Sequence, residues 1–198
     1  MSIATTEELD IYSLDKTAET IGTVFSSDLG WMAVAVRGQA LCGLVFGHPT
    51  AEKASAALGR ALGTQRSQGR KRLADDETDD VQFVRRMVDD LQRFAAGEPV
   101  DFREIAVDGD HLTPFGRRIV AACRRIPFGK TRSYGELAAI CGSPGAARAV
   151  GQVMAKNRYP LVVPCHRVLG SGGQLGGFSA PQGLTMKRRL LSLESAAD

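Results

Sequence analysis

Acidic residues all but vanish from the second half of this 198-residue chain. Residues 112–198 hold 3 Asp and Glu against 13 Lys and Arg, whereas residues 1–111 hold 19 against 12. The net charge of +3 therefore conceals an acidic half joined to a strongly basic one, and the basic half points to a polyanionic partner. Paired cysteines are also missing. The four, Cys42, Cys123, Cys141 and Cys165, are widely spread with no CxxC among them. That spacing excludes a zinc-finger framework and implies reduced thiols in a cytosolic protein. No apolar run approaches about 18 residues, which excludes a membrane-spanning helix, and no secretory signal is evident.

What is present reads as two styles of chain. Residues 1–19 are polar and acidic and are expected to be a flexible leader. Residues 20–47 cluster β-formers, with turns at Asp28-Leu29-Gly30 and Arg37-Gly38-Gln39. Residues 50–62 predict a helix. Residues 63–80 run basic and then acidic with hardly an apolar side chain, which predicts a loop. Val81, Val84, Met87, Val88 and Leu91 follow at helical spacing, closed by Gly97. Residues 98–110 predict a short strand and a linker. The expected boundaries are 20–110 for an N-terminal domain and 111–198 for a C-terminal one.

From Thr113 the chain becomes helical. Thr113 caps, Pro114 fits the first helical position, and Pro127 ends the helix. Ser133 and Glu136 have capping-box spacing and open a second helix, stopped by Gly142. Ser143 and Pro144 are expected to start a third, which carries Arg148 and Lys156. Two helices across a short glycine-containing link describe a helix-turn-helix, a common nucleic-acid reader.

The chemistry gathers in PLVVPCHRVLGSGGQLGGF, residues 160–178. Leu161, Val162 and Val163 predict a buried strand, and Pro164 breaks it, placing Cys165 at the mouth of a pocket. A free thiol is mostly protonated near neutrality, so a base is needed, and His166 is the candidate. Glu194 ends the amphipathic stretch LTMKRRLLSLE, whose inner face is expected to be Leu184, Met186, Leu190 and Leu193. An acid at a helix C-terminus opposes the dipole and implies a specific partner. The glycines let backbone approach a ligand closely, and Phe178 supplies a wall suited to a flat aromatic one.

PCHRV, with SYGELA and ARAVG before it and GGFSAPQGLTMKRRLL after it, resembles the O6-alkylguanine-DNA alkyltransferases, the methylated-DNA–protein-cysteine methyltransferase family. The likeness is dense over residues 112–194. It implies an α/β N-terminal domain, a ribonuclease H-like sheet plus helix. A mainly α C-terminal domain with a helix-turn-helix of winged-helix-like form would follow. It further implies minor-groove binding of double-stranded DNA by a cytoplasmic monomer, nucleoid-associated if bacterial. The damaged base would be flipped out, since an O6-alkyl carbon cannot be reached inside a stacked duplex.

Through the resemblance, Cys165 corresponds to the alkyl acceptor, His166 to a water-linked base and Glu194 to the acid that orients it. Tyr134 corresponds to the hydroxyl that supports the leaving guanine, and Arg148 to the side chain that fills the gap left by the flipped base. Ser133, Ala147 and Gly151 fall at further DNA-contacting positions. Asn157 corresponds to a brace behind the acceptor, Val168 and Ser179 to backbone positions holding the base edge, and Phe178 and Pro160 to pocket walls. Gln152 departs from members that repeat the glycine after Gly151. No Cys/His set matches the zinc site of some members, so neither metal nor cofactor is expected. The implied activity is irreversible transfer of the alkyl group from O6-alkylguanine to Cys165, once per molecule, with O4-alkylthymine a second candidate substrate. Two alternatives stand beside it. One is a module that binds alkylated DNA without repairing it, which the presence of Cys165 disfavours. The other is a Cys-His hydrolase, which leaves the basic helix pair unexplained.

Overall fold

The computed structural model describes residues 9–14, 19–63 and 78–196. The chain divides into two compact units, residues 1–100 and 101–198. The sequence placed the division ten residues later. Its displacement has a visible cause in Arg124, whose Nη2 donates to the carbonyls of Phe102, Arg103 and Ile105 at 3.0, 2.7 and 2.5 Å. Residues 101–105 are thereby tied to the second unit. Over 98–110 no strand element forms, only turns and a bridge residue at Val107.

The first unit is an antiparallel sheet in the order β1 (Tyr12–Ser13), β2 (Ile21–Phe25), β3 (Trp31–Arg37) and β4 (Ala40–His48), with helices α1 (Ala51–Leu62) and α2 (Asp79–Ala95). Residues 9–14 correct the expected leader: they supply β1, and Leu9, Ile11 and Leu14 are buried. These buried apolar side chains overrule the acidic residues around them. The remainder of the leader, 1–8 and 15–18, and residues 64–77 of the expected loop lie outside the described residues. Successive strand side chains point to opposite faces. Ala33 and Ala35 pack with Ala54 and Leu58 of α1, so Met32, Val34 and Val36, equally buried, face the α2 side. Gly43 allows α1 its close approach, since a Cβ there would sit 3.1 Å from the Leu58 side chain. The β3–β4 turn has positive φ at both Gly38 and Gln39 (53° and 58°), the geometry that matches strand twist in two-residue hairpins. Asp80 holds it by accepting from both backbone N–H groups, at 3.0 and 2.7 Å.

The second unit contains α3 (Pro114–Arg124), α4 (Tyr134–Ile140), α5 (Ala147–Ala155) and α6 (Leu184–Ser195), with a two-residue parallel pair of β5 (Arg132–Ser133) and β6 (Val168–Leu169). Thr113 caps α3 through the Gly116 N–H, and both halves of the Ser133–Glu136 capping box form. The third helix begins at Ala147 and not at Ser143, because Gly145 at φ 88° cannot lie inside a right-handed helix. The inner face of α6 also differs from expectation. Met186 and Leu190 are buried and Leu184 is exposed, while Lys187 and Glu194 point inward. Among the described residues no helix is long and apolar enough to cross a membrane.

Candidate active site

Residues 161–163 are buried as expected, but they do not form a strand. Leu161 has φ +73°, rare for a branched-chain residue, and Val163 N–H donates to Tyr159 O at 2.7 Å. This turn delivers Pro164 to the start of a single 3-10 turn, Cys165–Arg167. Consecutive residues of a 3-10 turn diverge by about 120°, so the two reactive neighbours part company. Cys165 lines a cavity of about 1060 Å³. His166 is fully buried, its Nε2 2.7 Å from Glu194 Oε1.

The carboxylate is the hub of the buried side. Glu194 also accepts from Arg167 Nε at 3.0 Å to each oxygen, from Arg167 Nη2 at 2.8 Å and from Gly129 N–H at 3.1 Å. Arg167 Nη1 donates to Ile126 O at 2.7 Å, and the guanidinium lies 5.7 Å from the Phe128 ring centre. Burial alone would raise the Glu194 carboxyl, but the bonds and charges of His166 and Arg167 outweigh it, and it ends below its ordinary value. An ionised carboxylate can only accept, so His166 Nε2 carries the hydrogen and Nδ1 keeps its lone pair. Burial lowers the His166 pKa, with Arg167 and Lys187 adding to the effect and Glu194 opposing it. The ring is thus neutral near pH 7 and able to take a proton.

Around the thiol, burial pushes the Cys165 pKa up. Asn157 Nδ2, 3.3 Å from the sulfur, pulls the other way, as do the Lys187 ammonium and the N–H groups of Cys165 and His166. The same Nδ2 donates to Val163 O at 2.8 Å, and Asn157 Oδ1 accepts from Tyr159 N–H at 3.0 Å. Asn157 thereby locks the turn to the end of α5.

The cavity gathers Ser133 and Tyr134 at the start of α4, Ala147, Arg148 and Gly151 on α5, and Phe178 and Ser179 after the glycines. Arg148 is exposed at its edge. Gly176 must lack a side chain, since its Cβ would stand 2.9 Å from the Tyr134 hydroxyl. Burial raises the Tyr134 pKa, with Cys165 and Cys123 adding to it, so the phenol keeps its proton and can donate. Pro160, Asn157 and Val168 do not line the cavity. Pro160 is taken up in the turn before Val163, and Val168 is fully buried with its carbonyl accepting from Lys187 Nζ at 2.6 Å.

Two residues of this site escaped the sequence reading, Arg167 and Lys187. Lys187 had a usable signal: it occupies an inward position of α6, between Met186 and Leu190 and seven residues before Glu194.

Comparison with known proteins places this arrangement. Residues 114–196 match the profile of the 6-O-methylguanine DNA methyltransferase DNA-binding domain. The methylated-DNA–protein-cysteine methyltransferase of Mycobacterium tuberculosis H37Rv is 46% identical over 110 residues, 55% of this chain and 64% of the relative, so the match leaves about a third of that protein uncovered. The protein of the same name from Methanosarcina acetivorans is 37% identical over 131 residues, 65% of this chain and 81% of the relative. The structure of Mycobacterium tuberculosis OGT in complex with DNA superposes with a TM-score of 0.65 at 34% identity, covering 87% of this chain and 91% of that one.

Proposed function

The chain belongs to the methylated-DNA–protein-cysteine methyltransferase family, and from that premise we propose that it repairs DNA by moving the alkyl group of O6-alkylguanine onto Cys165. One observation carries the reading: a thiol opens onto a cavity rimmed by the basic helix-turn-helix and backed by a buried His–Glu pair. The cavity is at the top of the ordinary range for small-ligand sites, about 300–1,000 Å³, which suits a whole extruded base.

In the proposed step the thiol proton passes to His166 through water. The sulfur then attacks the alkyl carbon, an S–C bond forms, and the C–O6 bond breaks with its electron pair going to the base. Tyr134 donates toward a ring nitrogen to offset that charge. The product thioether has no group beside it able to cleave it, so each molecule acts once. Arg148, at the cavity edge, fills the space the base vacates, and Ser133, Ala147 and Gly151 sit against the DNA. Ser179, on the cavity wall, offers its backbone to the base edge, whereas the backbone groups of Val168 are taken by Cys165 and Lys187. The finer fold assignment follows the same reading: a ribonuclease H-like first unit, a winged-helix-like second unit, and a monomer that binds the minor groove in the cytoplasm. O4-alkylthymine is a further candidate substrate.

The test is an intact-mass measurement after mixing the protein with a duplex bearing O6-methylguanine. The expected result is the gain of one methyl, mapped to Cys165 and absent in Cys165→Ser. An unchanged mass, or undiminished transfer by Cys165→Ser, refutes the proposal.

A further inference from the structure

A lysine with no exposure at all is unusual, because desolvating an ammonium is costly unless a charge or strong acceptors compensate. Lys187 meets one strong acceptor, the Val168 carbonyl at 2.6 Å, and its Nζ lies 5.9 Å from the Tyr134 ring centre. Among the described residues no carboxylate forms an ion pair with it. Glu194, on the same helix, is engaged by His166, Arg167 and Gly129. The groups facing Lys187 are Cys123 from α3, Tyr134 from α4, and Cys165 and His166 from the 3-10 turn. Of these, only the thiols and the phenol can become negative. Cys123 has no exposure and burial drives its thiol pKa far up, so it stays neutral. Tyr134 keeps its proton too. Of the two thiols, Cys165 is the one that lines the cavity.

We infer that Lys187 is a positioning residue for the transfer: its buried ammonium, anchored on the Val168 carbonyl, is the countercharge that holds the Cys165 sulfur as an anion until it attacks. The inference rests on the alkyl-transfer reading. It gives the cation two tasks through one bond. The Val168 carbonyl is fixed in direction, and positive charge is stationed at the residue whose N–H closes the Cys165 turn, where low polarity strengthens it.

The experiment follows S-benzylation of Cys165 by free O6-benzylguanine, counted by peptide mass, from pH 5 to 10. It compares the wild type with Lys187→Met, Lys187→Gln and Lys187→Arg. Loss of the cation raises the thiol pKa, and each unit is about tenfold in thiolate below it. Lys187→Met and Lys187→Gln are expected to shift the rate–pH midpoint upward and to run about tenfold slower at neutral pH. They should converge on the wild type in alkali, and Lys187→Arg should restore the midpoint. Lys187→Gln keeps a donor to Val168 without the charge and serves if Lys187→Met does not fold. An unmoved midpoint in the uncharged variants, or a parallel loss at every pH, overturns the inference. A wild type that accepts no alkyl group overturns the alkyl-transfer reading itself.

Discussion

Replacing Glu194 by Gln tests the buried side of the site, and its effect can be worked from the geometry. Glu194 is 1% exposed and Arg167 is 6% exposed, and five contacts from His166, both ends of the Arg167 fork and Gly129 converge on the carboxylate. Gln keeps the shape but removes the charge, and its amide turns a donor toward groups that also donate. The Arg167 guanidinium is left with the Ile126 carbonyl and the Phe128 ring. Breaking a buried pair from one side costs about 3–5 kcal/mol. At about 2–4 °C per kcal/mol for a chain of this size, Tm should fall by about 6–20 °C. The loss has a definite pH signature. The Glu194 carboxyl is held below its ordinary value by His166 and Arg167 against the opposing effect of burial. Its contribution is therefore complete above the unfolded pKa, about 4.3, and disappears as pH drops through the lower folded value. Thermal unfolding by circular dichroism should show the widest gap between wild type and Glu194→Gln above about pH 5, closing in acid. A drop in Tm under 2 °C, or a gap that does not narrow with acid, would refute the countercharge argument.

Arg148→Ala should impair transfer from alkylated duplex far more than transfer from free O6-benzylguanine, because only the duplex needs the vacated space filled; equal losses on the two substrates would remove that role. Binding of the wild type to duplex should weaken steeply with salt, measured by fluorescence anisotropy, as expected when Lys and Arg neutralise phosphates. Ser133→Ala removes one half of the capping box ahead of Tyr134 and should cost about 0.5–2 kcal/mol in urea unfolding. Loss of that cap is also expected to slow transfer, since the start of α4 sets the position of the Tyr134 ring.

Local chemistry was legible along the chain wherever neighbours decide the outcome. Thr113 with Pro114, Ser133 with Glu136, and Gly142 bounded their helices as read, because a cap acts within one turn. Cys165, His166 and Arg148 stood out because their residue types are reactive or cationic in an informative spacing. Misreadings came where distant residues settle the matter. Residues 9–14 looked polar until β2 paired with them. Residues 161–163 looked like a strand until the Tyr159–Val163 bond and the Asn157 side chain bent them into a turn. Lys187 was not singled out, because the Val168 carbonyl that holds its Nζ lies in a segment nineteen residues earlier.

By itself, then, the order of residues determined most helix limits and the acidic and basic halves, and it singled out Cys165 and His166 as candidates, since each depends on contacts within a few positions. Only the tertiary structure decided that Cys165 lines the cavity while His166 turns to Glu194, and that Glu194 serves both His166 and Arg167. It alone buried Lys187 against the Val168 carbonyl. Those outcomes depend on α6 packing behind a turn some twenty to thirty residues earlier, where burial and charge act through space.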